Sequence, residues 1–256
     1  MKNLSKPKPS IKLAILISGG GTTMEAIITA TQAGGVLTGL VEPVIVVSSK
    51  DGADGIRKAR NLGVAVEVLP RQQFAKGSTG VHEYGQVLLK ILQKHQVNVV
   101  MLCGFSAQIA PAVIAAYEGR IFNQHPGPVP EFGGVGMYGR RVHAAVLLFH
   151  RLSEKKRKSG APLPVFTQVV AQRVHPEYDM GAVVKSARVP ILPDDTVESV
   201  QQRAILIEHQ VQIGLLQDLA ANTLQETTIA ALATTPAARK LLQEAKDIAK
   251  ALYPHG

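Results

Sequence analysis

The stretch KLAILISGGGTTMEAII, residues 12–28, decides the fold. Its first six residues form a short, nearly continuous apolar run, as a buried strand would. Ser18-Gly19-Gly20-Gly21 ends that run, and Thr22 or Thr23 can cap a helix whose apolar positions include Met24, Ile27 and Ile28. The same alternation repeats downstream. Strands are expected at 44–47, 64–69 and 97–102, and helices at 55–62, 81–95 and 108–117, the second of these with Val87, Leu88, Ile91 and Leu92 inward. Strands that are apolar throughout, alternating with helices, describe a parallel sheet covered on both faces. The fold class is therefore α/β, doubly wound and mostly parallel.

The rhythm changes after Ile121. A short strand at 121–123 leads into a stretch rich in Pro and Gly, 125–139, and a helix is expected near 141–149. A basic loop at 151–159 follows. Two further strands, 165–174 and 183–189, precede a long helix from about Thr196 to Ala220, capped by Asp194 or Asp195. An additional C-terminal amphipathic helix spans 236–252 and opens with Pro236, the residue best tolerated in a first helical turn. No internal repeat or linker splits the chain. It divides into a flexible basic tail (1–11), one α/β domain (12–222) and a C-terminal extension (223–256).

Composition narrows the function classes. The net charge of +9 invites a nucleic-acid reading, but its distribution argues against one. Lys2, Lys6, Lys8 and Lys12 lie in or beside the tail. Arg151, Lys155, Lys156, Arg157 and Lys158 lie together in the basic loop, offset by Glu154. With no Trp and few aromatics, stacking platforms for single strands are poorly supplied. Cys103 is the sole cysteine and sits in an apolar run, so no intrachain disulfide can form, which suits a reducing cytoplasm. No apolar run approaches a membrane-spanning length, and the N-terminus lacks a signal-peptide pattern. The expectation is a soluble, cytoplasmic protein.

Three motifs carry chemistry. Ser18-Gly19-Gly20-Gly21-Thr22-Thr23 lets backbone N–H groups converge at a helix N-terminus beside hydroxyl donors, which suits a phosphate. It lacks the Lys-Ser/Thr pair of a Walker loop and the third glycine of the dinucleotide fingerprint, so a tight turn without ligand is the competing reading. In Asn123-Gln124-His125-Pro126-Gly127, residues i and i+2 project from one face of a strand, so Asn123 and His125 point into one cleft at a strand end. An amide donor beside an imidazole suits acyl transfer; a capping Asn and a structural His are the plain alternative. In Glu177-Tyr178-Asp179-Met180-Gly181 the Asp is either a turn residue or the group that orients the histidine. Spacing alone does not choose between them.

Taken in order, these motifs resemble the phosphoribosylglycinamide formyltransferase family of purine synthesis. The likeness runs from about Lys12 to Leu216. It takes in Gly104-Phe105 with Pro111, residues 132–139, Val142-His143-Ala144-Ala145-Val146 and Glu208-His209. The resemblance implies a Rossmann-like formyltransferase fold at 12–222. It also implies transfer of a formyl group from 10-formyltetrahydrofolate, a co-substrate, to the amine of glycinamide ribonucleotide. Asn123 and His125 would stabilise the charged oxygen formed as the amine attacks the formyl carbon, and Asp179 would hold the imidazolium and help move the proton. Gly19, Gly20, Gly21, Thr22 and Thr23 would hold the ribose phosphate and Glu208 the glycinamide. Phe105, Ile109 and Met137 would shape the folate pocket. The partners so implied are the phosphorylated amine and folate, with no metal and no membrane, and a homodimer stays open as the assembly.

The chain departs from that family's pattern at several places. Gly20, Thr22 and Thr23 replace amide- or hydroxyl-bearing loop residues. Gly127-Pro128-Val129-Pro130 replaces a small residue followed by Leu-Leu-Pro, Gln172 stands where a His is customary, and Ile205 where a Gln is. These departures keep alternatives in view: formylation of another amine, hydrolysis of formyl-folate, or a non-catalytic binder of folate or phosphate.

Overall fold

A computed structural model describes residues 11–156, 166–254 and 256. The first half alternates strand and helix: β1 (Ile11–Ile17), α1 (Thr22–Thr31), β2 (Val41–Ser48), α2 (Asp54–Asn61), β3 (Val66–Val68), α3 (Gly77–Lys94), β4 (Val99–Leu102), α4 (Pro111–Ala116) and β5 (Ile121–His125). The second half is less regular: α5 (Arg140–Lys156), β6 (Phe166–Arg173), β7 (Val183–Pro190), α6 (Val197–Ala221) and α7 (Pro236–Leu252). Among the described residues the strands form one seven-stranded sheet, in the order β3-β2-β1-β4-β5-β6-β7. Strands β1 to β5 pair in parallel, while β5–β6 and β6–β7 pair antiparallel.

Side-chain alternation explains why β1 is apolar from Leu13 to Ile17. Leu13, Ile15 and Ile17 enter the core against α1 and α6, with Met24, Ile27, Val211 and Leu215. Ala14 and Leu16 enter the opposite core against α3 and α4, with Tyr84, Leu88, Leu92 and Val113. A residue such as Leu88, with no exposed surface, contributes about 2–5 kcal/mol judged by truncation to Ala. A third core joins α5 to α7 through Phe132, Val142, Phe149, Leu241 and Ala245.

The chain winds outward from β1 through β2 to β3, then returns to β4 on the other side of β1. The loops after β1 and β4 therefore diverge at their carboxyl ends and leave a crevice between them, the usual ligand position in open α/β sheets. The hydroxyls of Ser18 and Ser49 lie 2.5 Å apart, and Ser18 Oγ also accepts from the Ser106 N–H at 2.8 Å. One buried side chain thus ties together the loops that follow three adjacent strands.

Several local expectations are corrected. Gly21, in the left-handed region at φ 65°, is the N-cap of α1, and neither Thr22 nor Thr23 caps it through a side chain. The α6 cap is Thr196, whose hydroxyl accepts from Ser199 N–H while Ser199 Oγ accepts from Thr196 N–H. Asp195 is instead clasped by Arg203 at 2.8 Å through both oxygens, which holds its carboxyl far below the usual range. Val87 faces solvent, and Tyr84 takes the inward place. Ile11 begins β1 and so is no part of a tail; residues 1–10 lie outside the described residues. The basic segment is helical to Lys156, and its remainder at 157–159 also lies outside them. Among the described residues no helix is long and apolar enough to cross a membrane.

Candidate active site

The carboxyl ends of β1, β4 and β5 open into a cleft of about 540 Å3. Each residue singled out in the sequence lines it: Gly19, Gly20, Gly21, Thr22, Thr23, Phe105, Ile109, Asn123, His125, Met137, Asp179 and Glu208. The glycine loop and α1 form one wall. Phe105, Ile109 and Met137 form a largely apolar wall, with Ile109 and Met137 buried. Strand β5 runs through to His125, beyond the expected end at Asn123, so the pleat carries both side chains to the mouth of the sheet.

His125 is buried, and its ring is held at Nδ1 by the backbone of Gly127. Nδ1 lies 3.0 Å from Gly127 O and 3.2 Å from Gly127 N, so the backbone of one residue can serve either tautomer. Among the described residues Nε2 has no hydrogen-bond partner, and Asp179 Oδ2 stands 3.6 Å away. When both nitrogens carry protons, Nδ1–H meets the Gly127 carbonyl and Nε2–H faces the carboxylate. A side chain at 127 would bring its Cβ within 2.4 Å of Val142 Cγ1, so glycine here follows from the close approach of α5.

Asp179 is held with unusual firmness for a loop residue. It adopts φ 57°, a left-handed conformation that Asp tolerates at modest cost. Gln172 Nε2 donates to its Oδ1 at 2.7 Å and the Gly134 N–H to its Oδ2 at 2.9 Å. Asn123 Nδ2 donates weakly to Oδ1 at 3.4 Å. The Gln at 172, one residue from the end of β6, is buried and supplies this donor without adding a titratable group.

At the opposite end of the cleft, Gln124 Nε2 donates to Glu208 Oε2 at 2.7 Å. Burial pushes the Glu208 carboxyl up to about 8. Its neighbour Cys103 is also buried, and desolvation, then the Glu208 charge, raises the thiol.

Two groups escaped the sequence reading. His143, on α5, is buried against the cleft with Nδ1 unpartnered; burial and then the charge of His125 push it down to about 4, so it stays neutral around pH 7. Set among Val142 and Ala144, it reads as a core histidine; the sequence marks it only as part of a stretch that carries the family resemblance, with no role attached. Gln124 alternates away from Asn123 and His125 along the strand, and only the fold discloses that α6 brings Glu208 to it. Gln201 also lines the cleft, on the face of α6 that carries Ile205 and Glu208. Among the described residues no cluster of three or more His, Cys, Asp or Glu could hold a metal ion.

This arrangement offers polar donors between an anion-suited loop and an apolar wall, the layout of a group-transfer site. Phosphoribosylglycinamide formyltransferase of Haemophilus influenzae is 28% identical over 78% of this chain and 82% of its own length. The chloroplastic phosphoribosylglycinamide formyltransferase of Vigna unguiculata is 34% identical over 81% of this chain, which spans 60% of that relative's length. The crystal structure of the Brucella melitensis phosphoribosylglycinamide formyltransferase superposes with a TM-score of 0.66 at 30% identity, covering 87% of this chain and all (100%) of that one. The formyl transferase family model matches residues 11–216, and with these likenesses the chain belongs to the phosphoribosylglycinamide formyltransferase family.

Proposed function

We propose that this protein transfers the formyl group of 10-formyltetrahydrofolate to the amine of glycinamide ribonucleotide, a step of purine synthesis. The observation that carries the reading is the meeting of Asn123, His125 and Asp179 where the two unlike walls of one cleft join. The formyl-transfer unit is the domain at 11–222, with 223–256 as its extension. The buried, unpaired Cys103 suits a reducing compartment such as the cytoplasm.

The residues present fit a folate. An apolar wall and buried polar atoms without partners, His125 Nε2 and Gln172 Oε1, offer both surface and hydrogen-bonding capacity to a flat polar ring system. Phe105, Ile109 and Met137 would hold it, and when bound it supplies the formyl carbon. The glycine loop, with its N–H groups and the Thr22 and Thr23 hydroxyls at the α1 N-terminus, would hold the ribose phosphate. Glu208, braced by Gln124, would bind the glycinamide. The amide absent at Ile205 has a substitute one turn earlier in Gln201.

The Asn123 side chain donates to Asp179 through a long bond, so its N–H can turn to the formyl oxygen as that oxygen gains charge. His125 Nε2, when protonated, donates to the same oxygen, and Asp179 stabilises the positive ring. The attacking amine loses a proton as the new C–N bond forms. The departing nitrogen gains one as the old bond breaks, by a path through water beside Asp179. His143, neutral, adds no competing cation.

Purified protein supplied with both substrates should release tetrahydrofolate in step with acceptor formylation; absence of release with this pair would overturn the assignment. Ile205 favours one second reading, another amine as acceptor, and competition between amines for a single folate donor separates the two.

A further inference from the structure

The family match ends at residue 216, yet the chain continues through α7, which packs along α5 and against Phe132. Leu241, Ala245 and Ala249 form its inward stripe. Lys246, beside that stripe, is half-buried. Its Nζ donates to Glu131 O at 3.0 Å and to Gly133 O at 2.8 Å. These carbonyls flank the turn whose next N–H, from Gly134, holds Asp179 Oδ2. The contact is close: a Cβ placed on Gly133 would lie 2.5 Å from Asp179 Cβ.

The same turn is tied to the extension at two further points. Both oxygens of Glu131 accept backbone N–H groups, from Leu232 at 2.8 Å and Ala233 at 2.7 Å. Arg141 donates to Gly136 O, and also to Tyr253 O and Pro254 O at the end of the chain. Residues 131–136 thus lie between Asp179 on one side and residues 232–254 on the other. A half-buried ammonium is expensive unless it meets oxygen acceptors, and here both acceptors are backbone carbonyls of one turn.

We propose that the C-terminal extension is a working part of the catalytic site, with Lys246 as a positioning residue that fixes residues 131–134 and, through the Gly134 N–H, the carboxylate of Asp179. The proposal rests on the formyl-transfer reading for its kinetic consequence but not for its structural one. Burial and the charge of Lys250 lower the Lys246 pKa, while Asp179 and Asp247 raise it, which places Lys246 within the field of the site. A small displacement of a catalytic group is enough to slow chemistry severely.

Two measurements on the full chain test this. Amide hydrogen exchange at Gly134 should quicken about tenfold or more in Lys246→Met while amides of β1 and β4 keep their protection, since only the turn loses its brace. In formyl transfer the same variant should lose about tenfold in kcat with KM for both substrates within about twofold, and Lys246→Arg, which keeps the donors, should recover most of the rate. Lys240→Met, on the exposed face of α7, should match wild type in both. Unchanged Gly134 exchange in a folded Lys246→Met protein would overturn the proposal, as would a loss of rate that Lys246→Arg fails to recover. Should Lys246→Met not fold, Lys246→Gln replaces it with the same expectations. If wild type transfers no formyl group, the activity assignment fails on its own, and the exchange result still decides the brace.

Discussion

Oδ2 of Asp179 lies 3.6 Å from Nε2 of His125, although one residue sits in a loop before β7 and the other ends β5. The carboxylate reaches the imidazole because β6 pairs antiparallel with β5, placing Gln172 opposite Asn123, and the chain then turns back over the strand end. The turn at 133–134 closes the arrangement from the other side.

Asp179→Asn keeps an oxygen for the Gly134 N–H but removes the charge that stabilises a protonated ring. The expected result is a fall in kcat of about 100-fold or more, with KM for glycinamide ribonucleotide little altered. Steady-state kinetics check it, and a loss confined to KM would point to a binding role.

Gln172→Met removes the strongest neutral donor to Asp179 together with an acceptor that has no partner. Loss of a donor to a charged group and relief of an unsatisfied oxygen oppose each other in stability, so the melting temperature should move little. Activity should fall about tenfold, in line with about 1.5 kcal/mol for a hydrogen bond to a charged acceptor. Gln172→His should retain it.

Glu208 predicts a pH-dependent stability. Its folded pKa, about 8, exceeds the ordinary carboxylate value of 4.5, so the folded protein binds this proton more tightly than the unfolded chain. The associated stability is full below about pH 4.5 and is lost as pH rises through about 8. Glu208→Gln should remove that component, so the wild-type-minus-variant difference in unfolding free energy should decline across this window. Denaturant titrations at several pH values measure it; a difference independent of pH would contradict the assignment.

Thr196→Ala deletes the α6 cap and half of its capping box. A cost of about 1 kcal/mol is expected, visible as a lower denaturant midpoint at unchanged slope. The corresponding change at Asp195 should cost more, because it strands the Arg203 guanidinium that the carboxylate clasps.

Much of this protein is legible before any coordinate is seen, for physical reasons. A strand covered on both faces has to be apolar where it is covered, and β4 and the Leu13–Ile17 part of β1 announce themselves that way. Asn123 and His125 declare a shared direction through strand periodicity alone. Asp179 does not: its role depends on a pairing register and a left-handed loop residue that no local pattern encodes. The same limit hid Gln124 from Glu208 and His143 from the cleft. The caps of α1 and α6 lie a residue or two from the expected ones, because Gly21 and Thr22 have similar capping propensity and the stronger cap former Asp195 is taken up by Arg203. The bond from α7 to the 131–133 turn is invisible as well, since an amphipathic helix reveals which face is buried but not what it is buried against.

The central claim is that His125 serves the chemical step. It is tested most directly by single-turnover formyl transfer in wild type and His125→Ala at saturating glycinamide ribonucleotide and 10-formyltetrahydrofolate, with substrate binding measured calorimetrically on the same samples. The transfer rate should fall about 100- to 1000-fold while glycinamide ribonucleotide binds within a few-fold of wild type. A transfer rate in His125→Ala close to that of wild type would contradict it.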